Sequence, residues 1–80
     1  MELKIGSVVK SKAGRDAGDF LTVVGFSEGY ILVCDGKQRP LERPKRKNPL
    51  HIAPTSVILP AQKMATNREL KKALNELSEK

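Results

Sequence analysis

Ile5-Gly6-Ser7-Val8-Val9-Lys10-Ser11-Lys12-Ala13-Gly14-Arg15-Asp16-Ala17-Gly18-Asp19-Phe20-Leu21-Thr22-Val23-Val24-Gly25-Phe26 sets two runs of β-forming side chains on either side of a tight loop. Ile5, Val8 and Val9 predict a first strand over Ile5 to Lys12, and Asp19 to Phe26 reads as a second. Between them Gly14 and Gly18 stand four residues apart. Paired glycines of this kind mark backbone positions that need positive φ or close approach, so Ala13 to Gly18 is a tight turn. Asp16 is suited to capping that turn or orienting the neighbouring Arg15 guanidinium.

Further along, Tyr30-Ile31-Leu32-Val33-Cys34-Asp35 predicts a third strand. Ser27-Glu28-Gly29 before it is short enough for a hairpin connection. Asp35-Gly36 is the strongest hairpin-turn dipeptide in the chain and points to a fourth strand over Lys37 to Glu42, with Pro40 confining it to an edge or a bulge. Leu50 to Ala53 supplies a short fifth. Five short strands with turn signals at this spacing favour a small closed barrel over a sandwich, which needs more strands. Pro44 and Pro49 bracket Lys45-Arg46-Lys47-Asn48, which predicts an ordered or semi-extended loop and not a helix.

The pattern changes after Thr66. Leu70, Ala73, Leu74 and Leu77 fall at i, i+3, i+4 and i+7, one apolar stripe on a helix. Thr66 and Glu69 have capping-box spacing. So short a helix is marginal alone, and its stripe needs a surface: the barrel, a partner or a second copy. The expected organisation is a mostly β barrel over residues 1–59, a linker over 60–65 and a C-terminal α-helix over 66–80.

Eighty residues make one domain with a modest core. One cysteine, Cys34, excludes an internal disulfide, and with one histidine no zinc site can be assembled from this chain alone. Cys34 reads as a small core hydrophobe in a reducing cytoplasm. The N-terminus lacks the apolar run of a signal peptide, and no segment approaches the roughly 20 apolar residues of a membrane span. A soluble, cytoplasmic protein is expected. The net charge of +6 is not spread evenly. Residues 1–36 sum to −1, residues 52–80 to +2, and residues 37–51 alone to +5, with Lys37, Arg39, Arg43, Lys45, Arg46 and Lys47 against Glu42. That focus favours an anionic partner.

The Ile5 to Gly18 stretch with the following Phe20 to Val24 strand resembles the KOW motif. The order AGRDAG, LVCDG, a basic run and then LHIAPT, over roughly residues 3–59, is similar to the KOW-domain RNA-binding proteins. The likeness is to the archaeal and eukaryotic large-subunit ribosomal protein "fourteen-e" and, more closely, to its small bacterial relatives. Leu50 stands where a basic residue is usual. The resemblance implies an SH3-like barrel that contacts ribosomal or other structured RNA through its loops. The candidate RNA-binding residues are Lys12, Arg15, Lys37, Arg39, Arg43, Lys45, Arg46, Lys47 and His51. Gly14, Asp16, Gly18, Asp35 and Gly36 shape the loops.

The chemistry of the residues agrees. Phosphates call for lysine and arginine on a geometry that follows a backbone, and a proline-bracketed PKRKNP segment presents them with reduced ordering cost. An enzyme is not expected: His51 has no nucleophile pattern beside it, and GRDAG lacks the lysine and Ser/Thr of a phosphate-binding loop. No cofactor, metal, small-molecule substrate or membrane partner is implied. With one Tyr, two Phe and no Trp, a proline-peptide groove could hardly be lined, and an RRM-like stacking platform or sequence-specific reading of single-stranded bases is not expected. Shape and phosphate recognition of folded RNA fits better. The alternative is a KOW-type transcription or translation module that binds a protein partner.

Overall fold

A computed structural model describes residues 3–78. Residues 1, 2, 79 and 80, the outer limits of the expected barrel and helix, lie outside the described residues. Five antiparallel strands form one sheet: β1 (Ser7–Ser11), β2 (Phe20–Ser27), β3 (Tyr30–Cys34), β4 (Lys45–Lys47) and β5 (Ile52–Ile58). Their spatial order is β4-β3-β2-β1-β5. A helix, α1 (Asn67–Ser78), follows a 3₁₀ turn at Ala61–Met64.

The connection between the two edge strands decides the shape of the sheet. β4 and β5 lie at opposite edges, yet only a short segment containing the 3₁₀ turn Pro49–His51 joins them. Four interstrand steps would hold the edges of a flat sheet roughly 19 Å apart. A 3₁₀ turn advances only about 2 Å per residue. The sheet therefore curls into a small SH3-like barrel. Register shifts between Val23 and Gly25 of β2 and between Ser7 and Val9 of β1 supply the local bends that closure needs.

Where the helix covers the outer face, both faces of the central strands are buried, as at Val8-Val9 of β1 and Val33-Cys34 of β3, which explains apolar runs without strict alternation. Val9, Leu21, Val23, Ile31, Val33 and Ile52 fill the barrel interior, with Leu3 packed against them. On the outer face Val8 and Cys34 meet Leu59 and the helix stripe of Leu70, Ala73 and Leu74, with Leu77 partly buried beside them. The helix docks on the barrel of its own chain. Thr66 Oγ1 accepts from the Glu69 amide at 3.1 Å, which caps the first turn. Asn67 ties the helix start to the loop between β3 and β4: its Oδ1 accepts from Leu41 N at 2.7 Å, and its Nδ2 donates to Glu42 Oε1 at 2.8 Å.

The hairpin between β2 and β3 turns on Glu28 and Gly29, at φ 47° and 86°, the paired positive dihedrals that two-residue hairpins favour. Three local expectations are corrected. Lys37 to Glu42 is not a strand. Asp35 Oδ1 accepts from both Lys37 N and Arg39 N at 2.8 Å, and Arg39 O accepts from Asp35 N and Gly36 N, so the chain closes on itself. Asp35-Gly36 thus opens a long loop instead of a hairpin. The fourth strand is Lys45–Lys47, within the segment expected to be a loop, where it pairs with Val33, Leu32 and Ile31. Its prolines fall just outside it, and a charged edge strand resists unwanted pairing. Finally, Asn48 caps the 3₁₀ turn through its Oδ1, so the fifth strand starts at Ile52 and leaves Leu50 79 % exposed.

Gly36 has φ 77°, and a Cβ there would overlap the Asn67 carbonyl oxygen and approach Lys71 N at 3.0 Å. Gly18 has φ 91° with nothing within 4 Å. Its need is dihedral alone. Gly36→Ala should therefore cost about 2–3 kcal/mol, strain plus displacement of the helix start, against about 1 kcal/mol for Gly18→Ala. Denaturant unfolding of the two variants checks that order. Cys34 is fully buried, its Sγ 3.4 Å from the Pro40 carbonyl oxygen. Burial, with Asp35 and Glu42 adding to it, pushes the thiol up to about 11. Alkylation of Cys34 at pH 8 should accordingly proceed only as fast as the protein opens. Rapid labelling of the folded protein would contradict this packing.

Candidate nucleic-acid interface

The loop between β1 and β2 is held by its own backbone. Gly18 N donates to Ser11 O at 2.8 Å, Asp19 N to Asp16 O at 2.9 Å and Ala17 N to Gly14 O at 3.2 Å. Gly14 and Gly18 both take positive φ. Arg15 stands exposed at the tip, and Lys12, also exposed, enters the loop with its amide bonded to His51 O at 2.8 Å. That bond sets the exposed His51 beside Lys12.

β4 reaches the same loop from a distant part of the chain. Lys47 Nζ donates to Asp16 Oδ1 and to Ala13 O, each at 2.9 Å, and Lys45 Nζ lies 3.7 Å from Asp16 Oδ2. Ser11 Oγ is 2.8 Å from Asp16 Oδ1. Burial pushes the Asp16 carboxyl up. Hydrogen bonds from Lys47 and Ser11 and the ammonium charges of Lys47 and Lys45 outweigh it and hold its pKa below 3.8. Asp16 therefore braces the loop through lysines, not through Arg15.

Strand alternation divides the basic run. Lys45 and Lys47 turn toward the loop, while Arg46 turns outward and lies over the Tyr30 ring at 5.1 Å. Lys47, expected among the phosphate contacts, is only 6 % exposed, and its ammonium is committed to Asp16 and Ala13. That ammonium faces the loop and not solvent. Lys45 remains at the rim, half-buried, and Arg43 is exposed in the turn that precedes β4. Lys37 and Arg39 project from the Asp35 loop. Lys37 shares a cleft of about 180 Å³ with Gly18, Asp19, Phe20 and Lys71. Lys71, from α1, was invisible to sequence reasoning, since only the docking of the helix brings it there.

The structure thus brings Lys12, Arg15, Lys45 and His51 together around one rigid loop and sets Arg46 apart on the outer face. Among curated proteins the chain is 31 % identical over 75 residues to the large ribosomal subunit protein eL14 of Saccharolobus solfataricus, a match that covers 92 % of this chain and 78 % of that one. The eL14 protein of Sulfolobus acidocaldarius matches to the same extent, and that of Saccharolobus islandicus at 28 % identity. The chain belongs to the eL14 family. No protein-family model matches it. A match over 92 % of the chain leaves too few residues over to omit the twelve-residue helix altogether, so at least part of α1 lies within it. Among the described residues no helix is long and apolar enough to cross a membrane.

Proposed function

We propose that this chain is a ribosome-associated protein that binds structured ribosomal RNA in the cytoplasm, with the β1–β2 loop and the adjoining end of the barrel against the RNA backbone. The observation that carries the reading is the gathering of Lys12, Arg15, Lys45 and His51 around a loop fixed by buried hydrogen bonds. A pre-ordered cationic loop loses little entropy on binding, and phosphate contacts set register without reading bases. Membership of a family whose curated relatives are named large ribosomal subunit proteins supports ribosomal RNA over other anions. Arg43, Lys37 and Arg39 extend the positive field and steer association. The protein supplies binding and positioning, not chemistry.

The test is sedimentation of the intact protein from cells through a sucrose gradient, with sequencing of the RNA recovered with it. Comigration with large ribosomal particles at low salt, release at high salt and enrichment of ribosomal RNA are expected. A protein that stays at the top of the gradient, free of RNA, would overturn the proposal.

A further inference from the structure

The outer face of β3 and β4 carries a second feature that the loop surface does not use. Tyr30, Leu32 and Arg46 share that face, since Leu32 pairs with Arg46 and the intervening Ile31 and Val33 turn into the barrel. The Arg46 guanidinium lies 5.1 Å from the Tyr30 ring centroid. Tyr30 is 42 % exposed and Arg46 is exposed. On the neighbouring strand Gly25 stands opposite Leu32, where a Cβ would come within 3.2 Å of Leu32 Cδ1. The missing side chain leaves the surface shallow. The helix covers this face over Val8, Cys34 and Leu59 but gathers neither Tyr30 nor Leu32 into its apolar layer.

We infer that Tyr30 and Arg46 form a stacking platform for one unpaired nucleotide of the bound RNA. This rests on the RNA-binding reading and adds a contact that phosphate recognition does not require. A flat ring and a flat guanidinium on two hydrogen-bonded strands match the face of a base, while the guanidinium edge remains available to a phosphate or a base edge. Arg46 sits within the segment that carries +5, so the surroundings favour a polyanion. A proline-rich peptide needs a groove between aromatic walls. Phe26 pairs with Ile31, on the opposite alternation from Tyr30, and forms no such wall. One platform recognises one unstacked base, consistent with a chain too poor in aromatics for a row of them.

Tyr30 is the sole tyrosine and there is no tryptophan, so intrinsic emission reports on this platform alone. A ribosomal RNA fragment with an unpaired loop is titrated into the full chain, with binding followed in parallel by mobility shift and emission corrected against free N-acetyltyrosinamide. Quenching that saturates with the mobility shift is expected, and a fully paired duplex should bind without it. Tyr30→Leu should weaken the looped RNA about tenfold and leave the duplex unchanged, with Tyr30→Phe retaining affinity. Arg46→Lys, which keeps the charge and loses the plane, should weaken it as well. Binding with unaltered Tyr30 emission, or equal affinity for Tyr30→Leu, would overturn the platform while sparing the loop surface. Absence of any mobility shift would overturn both.

Discussion

Replacing Asp16 by alanine should destabilise the protein by about 3 kcal/mol and lower its melting temperature by roughly 12–24 °C. The reason lies in what remains. Without the carboxylate, Lys47 keeps an ammonium that is only 6 % exposed, with Ala13 O as its remaining bond, and Ser11 Oγ loses Asp16 and keeps only the Ala13 carbonyl. A buried charge stripped of its counterion costs several kcal/mol, whereas replacing both partners with apolar groups is often close to neutral. Asp16→Ala combined with Lys47→Met should therefore recover much of the loss. Additive losses would show that the pair is not coupled. The sign with pH follows from the lowered carboxyl. Asp16 is held below its ordinary 3.8, so its contribution is complete above that value and is lost as pH falls through the folded pKa. The gap between the wild type and Asp16→Ala should narrow below about pH 4 and hold constant from pH 5 to 7. Thermal melts across that range check both statements.

The second large effect is on binding. Exchanging Lys12, Arg15 and Lys45 for glutamine should weaken binding to structured ribosomal RNA at least about a hundredfold, as charge-assisted contacts are worth ~1.5–3 kcal/mol each. If the wild type neutralises about four to six phosphates, log K against log salt should slope at about −3 to −5, and the triple variant should flatten it by about 2 to 3. Stability should change little. Lys12 and Arg15 are exposed, and the 3.7 Å contact of Lys45 with Asp16 belongs to a side chain at the rim. Lys47 must be left in place in any such variant, because its removal would confuse unfolding with lost affinity.

The parts of the fold that local chemistry determines were legible in advance. Apolar runs at Val8-Val9, Phe20 to Val24 and Tyr30 to Cys34 became strands, the stripe of Leu70, Ala73 and Leu74 became the buried face of α1, and Gly14 and Gly18 took positive φ. What escaped is non-local. Lys45-Arg46-Lys47 has no apolar alternation to mark it as a strand, and its pairing is dictated by Ile31 to Val33 on β3. The fate of Lys47 depends on Asp16, 31 residues earlier, and on the barrel end that the loop closes. Asp35-Gly36 was read for its turn chemistry, which is present, but the hydrogen bonds of Asp35 to Lys37 and Arg39 curl the chain away from a hairpin. In the candidate surface, the loop positions of Lys12 and Arg15 follow from the local glycine spacing, while the division of the basic run between the loop and the Tyr30 face required the strand.

Photo-crosslinking of the intact protein to ribosomal RNA, with the linked residues identified by mass spectrometry, addresses the central proposal most directly. The account predicts RNA linked to peptides that carry Lys12, Arg15, Lys45 and His51, with Lys47 protected as long as the protein is folded. Linkage confined to the exposed lysines of α1, with the β1–β2 loop and β4 free of RNA, would contradict it.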